Sequence, residues 1–307
     1  MRTRSVVPVL LLSCMAAGAA PASYRLEPAQ AGTATRLGSG WLSSEANDYN
    51  LSTDARERLL VFGRSTTADF SDARIWISRR TRDGWADPAP AAFSDPRWRD
   101  SDPWLTPDGR WLYFVSNRPA PGRDSARDDL DLWRARVTRA GFGPLEHLAA
   151  PSSAGEELGP EVHGGALTFN STRSGGPAQL ALYRARLVNG QPAAAEALPA
   201  PFNDGIAQGD LTFSPDGRIA LFWSIRGDTR EPDLFAVHRT GTGWSAAIRL
   251  PAPFNAPGMD FTPAFSADGR ALRWASQRAA DGASPGNQGR ADIHVIDARS
   301  LPPPPAP

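Results

Sequence analysis

Beyond residue 46 the apolar positions fall in short runs of strand length, set apart by turn residues, and the arrangement repeats. Its clearest copies open with Thr106-Pro107-Asp108-Gly109-Arg110, Ser214-Pro215-Asp216-Gly217-Arg218 and Ser266-Ala267-Asp268-Gly269-Arg270. Each leads into an apolar run that closes on Ser-x-Arg, at Ser116-Asn117-Arg118, Ser224-Ile225-Arg226 and Ser276-Gln277-Arg278. A weaker copy begins at Ser52-Thr53-Asp54-Ala55-Arg56. Another reads His163-Gly164-Gly165, without the aspartate, and ends on Ser171-Thr172-Arg173. With Gly165 standing for the aspartate, successive copies lie 54, 57, 51 and 52 residues apart.

Asp-Gly between two apolar runs predicts a tight hairpin, because glycine reaches positive φ without strain. A third strand is expected in each copy, at residues 73–78, 130–135, 180–185, 233–237 and 292–296. Turns at Asp83-Gly84, Ala140-Gly141, Asn189-Gly190 and Thr242-Gly243 then lead to a fourth, outer strand. Four antiparallel strands in a unit of this length are a propeller blade, so the fold class is all-β with a single β-propeller domain over residues 23–300. The last copy runs out after its third strand into the proline-rich tail, residues 301–307. Its fourth strand is expected from the amino-terminal stretch 33–42, which would close the ring and remove a free edge. Five blades follow; six would need further strands in residues 23–47.

Ahead of the repeats, Arg2 and Arg4 precede an apolar run from Val6 to Met15 and then Ala20-Pro21-Ala22. This has the form of a secretory signal peptide over residues 1–22, and its apolar run is too short for a membrane span. The one cysteine, Cys14, stands in Leu11-Leu12-Ser13-Cys14, which loosely resembles a lipobox. Lipidation of Cys14 would tether the protein to a membrane; otherwise the residue leaves with the signal. An exported protein, periplasmic or envelope-associated, is expected in either case.

Composition narrows the chemistry. The 33 basic residues, all arginine, balance 33 acidic ones, which argues against nucleic-acid binding. Without lysine there is no Schiff-base or P-loop chemistry, and one cysteine excludes a disulfide framework. No Gly-x-Ser-x-Gly, His-Glu-x-x-His or dinucleotide fingerprint appears. His147, His163, His238 and His294 fall in different repeats without metal-ligand spacing. Asp124, Asp128, Asp129 and Asp131 do not fit the EF-hand pattern and read as a solvated loop.

The segments Asp102-Pro103-Trp104-Leu105-Thr106-Pro107-Asp108-Gly109 and Asp260-Phe261-Thr262-Pro263-Ala264-Phe265-Ser266, with the Ser-x-Arg strand ends, resemble the TolB-like β-propeller repeat. The likeness covers about residues 33 to 300. It implies an exported propeller used for protein binding, of the kind found in the periplasmic Tol system. The sequence shows no counterpart of TolB's additional α/β domain and no hydrolase domain, so the Tol partner set is not carried over.

Acids near each first strand would face the central channel: Asp48, Asp100, Asp102, Glu157, Glu161, Asp210 and Asp260. A ring of such carboxylates could bind a divalent cation such as calcium, or supply a glycosidase acid/base pair. Alternatively they pair with the recurring arginines Arg118, Arg173, Arg226 and Arg278 and serve the architecture. Trp98 and Trp104 could line a channel mouth, while Trp111, Trp133, Trp223 and Trp274 are expected between blades. The sequence therefore points to a monomeric, non-enzymatic module that binds an envelope protein or peptide and needs no cofactor. A glycan-acting hydrolase or a cation or small-ligand binder, using the channel-mouth carboxylates, is the alternative.

Overall fold

The structure, a computed structural model, describes residues 23–122, 128–278 and 290–304. The signal segment with Cys14, and Asp124 of the acidic loop, lie outside the described residues. Five four-stranded antiparallel sheets make a five-bladed propeller. The inner strands are Asn47–Thr53, Asp100–Leu105, Glu157–His163, Ala207–Phe213 and Asp260–Phe265. In the fifth sheet the outer strand is Thr35–Arg36, paired antiparallel with Asp292–Asp297 through Thr35 opposite Val295 and Arg36 opposite His294. The ring is thus closed by its amino-terminal strand, which is shorter than the stretch the sequence indicates.

The same segment also reaches the first blade. Tyr24 exchanges two backbone hydrogen bonds with Trp85, at 2.9 and 2.8 Å, and its ring stacks on Trp41 with centroids 4.9 Å apart. One stretch of chain therefore ties the first blade to the last.

The recurring turn has a clear physical basis. In three blades the Thr or Ser hydroxyl donates to the aspartate, as Thr106 to Asp108 at 2.6 Å, Ser214 to Asp216 at 2.6 Å and Ser266 to Asp268 at 2.7 Å. The same carboxylates accept from the amides of Arg110, Arg218 and Arg270, and Gly109 takes the positive φ of 69° that the turn requires.

Packing lies mainly between blades. Leu59, Val61 and Ile75 of the first blade meet Leu105, Leu112 and Phe114 of the second, and equivalent clusters fill the other gaps. Leu301, at the start of the proline-rich tail, packs against the cluster that holds Leu272 and Trp274.

Candidate functional site

The channel acids separate into two sets according to their place on the inner strand. Asp48, Asp100, Glu157 and Asp260 occupy one level and each meets an arginine: Arg64 at 2.6 Å, Arg118 at 2.6 Å, Arg173 at 3.2 Å and Arg278 at 2.9 Å. All four carboxylates are fully buried. Burial pushes their pKa up, and the facing guanidinium or the serine hydroxyls pull it back. In the Ser-x-Arg segments the serine oxygen accepts from arginine Nε, at 2.9 Å for Ser116 and Arg118 and 2.8 Å for Ser276 and Arg278. The guanidinium also binds carbonyls of the loop entering its own blade, such as Pro253 and Phe254. In the fourth blade Gln208 replaces the acid, yet Arg226 still clamps Pro201 and Phe202. This level is architectural. Asp48, Asp100 and Asp260 are accordingly not free carboxylates at a channel mouth.

Two residues further along, every inner strand has a bulge, and its first residue takes positive φ: Asn50 at 49°, Asp102 at 50°, Gly159 at 56°, Asp210 at 53° and Thr262 at 49°. Such a bulge re-aims a side chain relative to a regular strand. The five residues, one per blade, form a polar ring on the axis. Three of them, Asp102, Gly159 and Asp210, converge. The Gly159 amide donates to Asp102 Oδ2 at 2.9 Å, while a Cβ at Gly159 would stand 2.3 Å from Asp210 Oδ1. Glycine is required here by the close approach of Asp210 and Asn170; the φ alone does not demand it, since Asn, Asp and Thr hold the same angle in the other blades.

Neither aspartate has an arginine or histidine within ion-pair distance among the described residues. Asp102 accepts from Ser101 at 2.8 Å, and Asp210 from the Trp223 indole at 2.7 Å. Burial raises both pKa values, and the Asp102 charge raises that of Asp210 further. Like charges this close oppose double ionisation, so the pair retains a proton into the neutral range. The space at this level is about 30 Å³, roughly the share of one water molecule. At the end of the ring opposite the Asp-Gly turns, Phe70 packs edge-on against Tyr49 and Phe261, at 5.1 and 6.0 Å.

Towards the Asp-Gly turns the axis widens into a funnel of about 270 Å³. Half-buried Trp104, His163, Phe213 and Phe265 line it, and the exposed turn residues Pro107 and Pro215 edge its mouth. His163 and Phe213 stack with centroids 4.5 Å apart. Glu161 lies on the wall with its carboxylate accepting from the Phe213 amide at 3.2 Å, and burial pushes its pKa up to about 8. It is therefore a neutral carboxylic acid at pH 7. Burial lowers the pKa of His163, which leaves that ring neutral as well.

Trp104 and Glu161 thus line both the constriction and the funnel, whereas Asp210 lines the constriction alone, with Asp102 beside it on the Gly159 amide. Trp98 is in the loop ahead of its inner strand, with Arg97 over its ring at 5.4 Å. Trp223 packs between the fourth and fifth blades as expected, and from there aims its indole N–H at Asp210. Arg273, which lines the funnel, escaped the sequence reading. Its signal was available: it stands where the other second strands have Val61, Tyr113, Thr168 and Leu221. Asp131, grouped above with the solvated acidic loop, instead opens the strand Asp131–Thr138, where it is buried 3.1 Å from His147. Among the described residues no group of three or more His, Cys, Asp or Glu could hold a metal ion, and no helix is long and apolar enough to cross a membrane.

No protein-family model and no curated protein matches the sequence. Solved structures do resemble the fold. A TolB candidate from Agrobacterium tumefaciens aligns with a TM-score of 0.52 at 16% identity, covering 82% of this chain and 78% of its own. An alpha-L-arabinofuranosidase from Lactobacillus brevis aligns with a TM-score of 0.51 at 12% identity, covering 84% of this chain and 92% of its own. At these identities the likeness establishes the β-propeller fold, which binding proteins and enzymes share.

Proposed function

We propose that the protein is an exported, non-catalytic β-propeller that holds a protein or peptide in the cell envelope, using the axial funnel as its contact surface. One observation carries this reading: the space open on the axis is lined by Trp104, Phe213, His163 and prolines, while the axial acids other than Glu161 are tied to arginines or enclosed above it. Aromatic and proline surfaces give large contact area at low entropic cost, which suits polypeptide recognition. The secretory pattern of residues 1–22 supports the location. The TolB likeness is consistent with it at the level of fold.

The test is photo-cross-linking from a benzoyl-phenylalanine placed at position 213, in envelope extract of the native host. A polypeptide adduct that disappears with Trp104→Ala is expected. Adducts indifferent to Trp104, or none, would remove the funnel as the contact surface.

A second reading, a glycan-acting hydrolase, is favoured by the Asp102–Asp210 pair, two carboxylates without cationic partners. It requires a sugar to reach a level that now has room for about one water. Turnover of any glycan that is lost in Asp210→Asn would establish it.

A further inference from the structure

Arg273 is a charged side chain in a place where the other blades have an uncharged one. It stands on the second strand of the fifth blade, opposite Ala264 of the inner strand. The residue is only 7% exposed, and no hydrogen-bond partner meets its Nε among the described residues. Its remaining contacts are long: Thr53 Oγ1 at 3.5 Å and a Glu57 carboxylate at 3.6 Å, the latter itself half exposed. A buried guanidinium ordinarily engages a carboxylate through short, forked hydrogen bonds. Compared with the 2.6 Å pair of Arg118 and Asp100, Arg273 is under-coordinated.

The surroundings indicate what would complete it. Arg273 lines the 270 Å³ funnel, whose one acid, Glu161, is neutral at pH 7. The funnel narrows above to about 30 Å³, so a chain cannot pass through and must end there. Its volume is below the roughly 300–1,000 Å³ of sites for drug-sized ligands, which suits a chain end. A chain has two kinds of end. An ammonium would meet the Arg273 cation, whereas a carboxylate would meet an under-coordinated guanidinium, with Trp104 and the His163–Phe213 stack alongside for an apolar terminal side chain.

We propose that the funnel is a receptor for the free α-carboxylate of a polypeptide C-terminus, with Arg273 as the anion anchor and an apolar last residue against Trp104 and Phe213. This deepens the peptide-binding reading above and rests on it. Glu57 is then a competitor that holds Arg273 weakly until the ligand arrives.

The probe is the peptide acetyl-Gly-Ala-Leu-Phe, as free acid and as C-terminal amide, titrated into the full chain by calorimetry. The free acid should bind about tenfold or more tightly than the amide. Arg273→Gln should abolish that difference. Glu57→Gln, which removes the competing charge but keeps an oxygen that can accept from Arg273, should enlarge it. Equal binding of acid and amide would overturn the carboxylate assignment while leaving peptide binding in place. An unchanged preference in Arg273→Gln, or no binding of either peptide, would also overturn it. The adduct at position 213, read separately, distinguishes that failure from failure of the funnel as a contact surface.

Discussion

The Asp100 carboxylate meets the Arg118 guanidinium at 2.6 Å, with the acid fully buried and the arginine side chain 12% exposed. Ser116 donates to the same carboxylate at 2.6 Å, and Arg118 also spans the rings of Phe114 and Trp133. Removing one partner leaves a charge that the interior cannot solvate. Arg118→Met should therefore cost about 3–5 kcal/mol, and Asp100→Asn in that background should recover part of the loss. Urea denaturation of the two single variants and the double variant measures both effects. Additive losses would contradict the pairing.

Glu161 fixes a pH dependence. Its ordinary pKa of 4.5 is raised by burial to about 8 in the folded protein. Between these values the unfolded chain ionises while the folded protein stays protonated, so this group's contribution to stability is complete below the lower value and lost as pH rises to the upper one. Glu161→Gln removes the titration. Its stability relative to the parent should rise by about 1.4 kcal/mol per pH unit between about pH 5 and pH 8, then level off. Denaturant midpoints across that range decide the matter, and a flat difference contradicts the assignment.

Gly159 separates two carboxylates. A Cβ there would fall 2.3 Å from Asp210 Oδ1 and 2.5 Å from Asn170 Oδ1, on a backbone with φ of +56°. Gly159→Ala should destabilise by about 2 kcal/mol or more. Combining it with Asp210→Gly should recover part of that loss. Thermal melts of the three variants provide the comparison.

The amino-terminal segment acts as a clasp. A chain beginning at residue 37 would expose the edge of Asp292–Asp297, which Thr35–Arg36 now covers, and lose the Tyr24–Trp85 hydrogen bonds. A lower melting temperature and concentration-dependent self-association are expected, because an open strand edge pairs with other chains. Size-exclusion chromatography over a concentration series tests this, and an unchanged monomer would contradict it.

The blade count and the closure of the ring were legible in the sequence because the same chemistry is required in blade after blade. The hairpin needs a hydroxyl, an aspartate and a glycine, as at Ser214, Asp216 and Gly217, and the strand end needs Ser224 to seat Arg226. The axial ring was not legible. Its five positions hold Asn50, Asp102, Gly159, Asp210 and Thr262, four residue types in five places, and only bulge geometry places them together. The same geometry divides the acids: Asp100 and Asp102 are two residues apart, yet one is locked to Arg118 and the other faces Gly159. Trp223 and Trp274 are both aromatic residues on second strands, but the first binds Asp210 and the second Asp260. Arg273 broke the apolar pattern of its strand, a departure visible in the sequence but given meaning only by the funnel beside it.

The funnel and the enclosed carboxylates assign opposite roles to the channel, and one comparison separates them. The parent, Trp104→Ala and the double variant Asp102→Asn with Asp210→Asn are measured side by side, for binding to a peptide array and for release of sugars from an envelope-glycan panel. Peptide binding that Trp104→Ala weakens and the double aspartate variant retains is expected, with no sugar release by any form. Sugar release by the parent that is abolished in the double aspartate variant would contradict it.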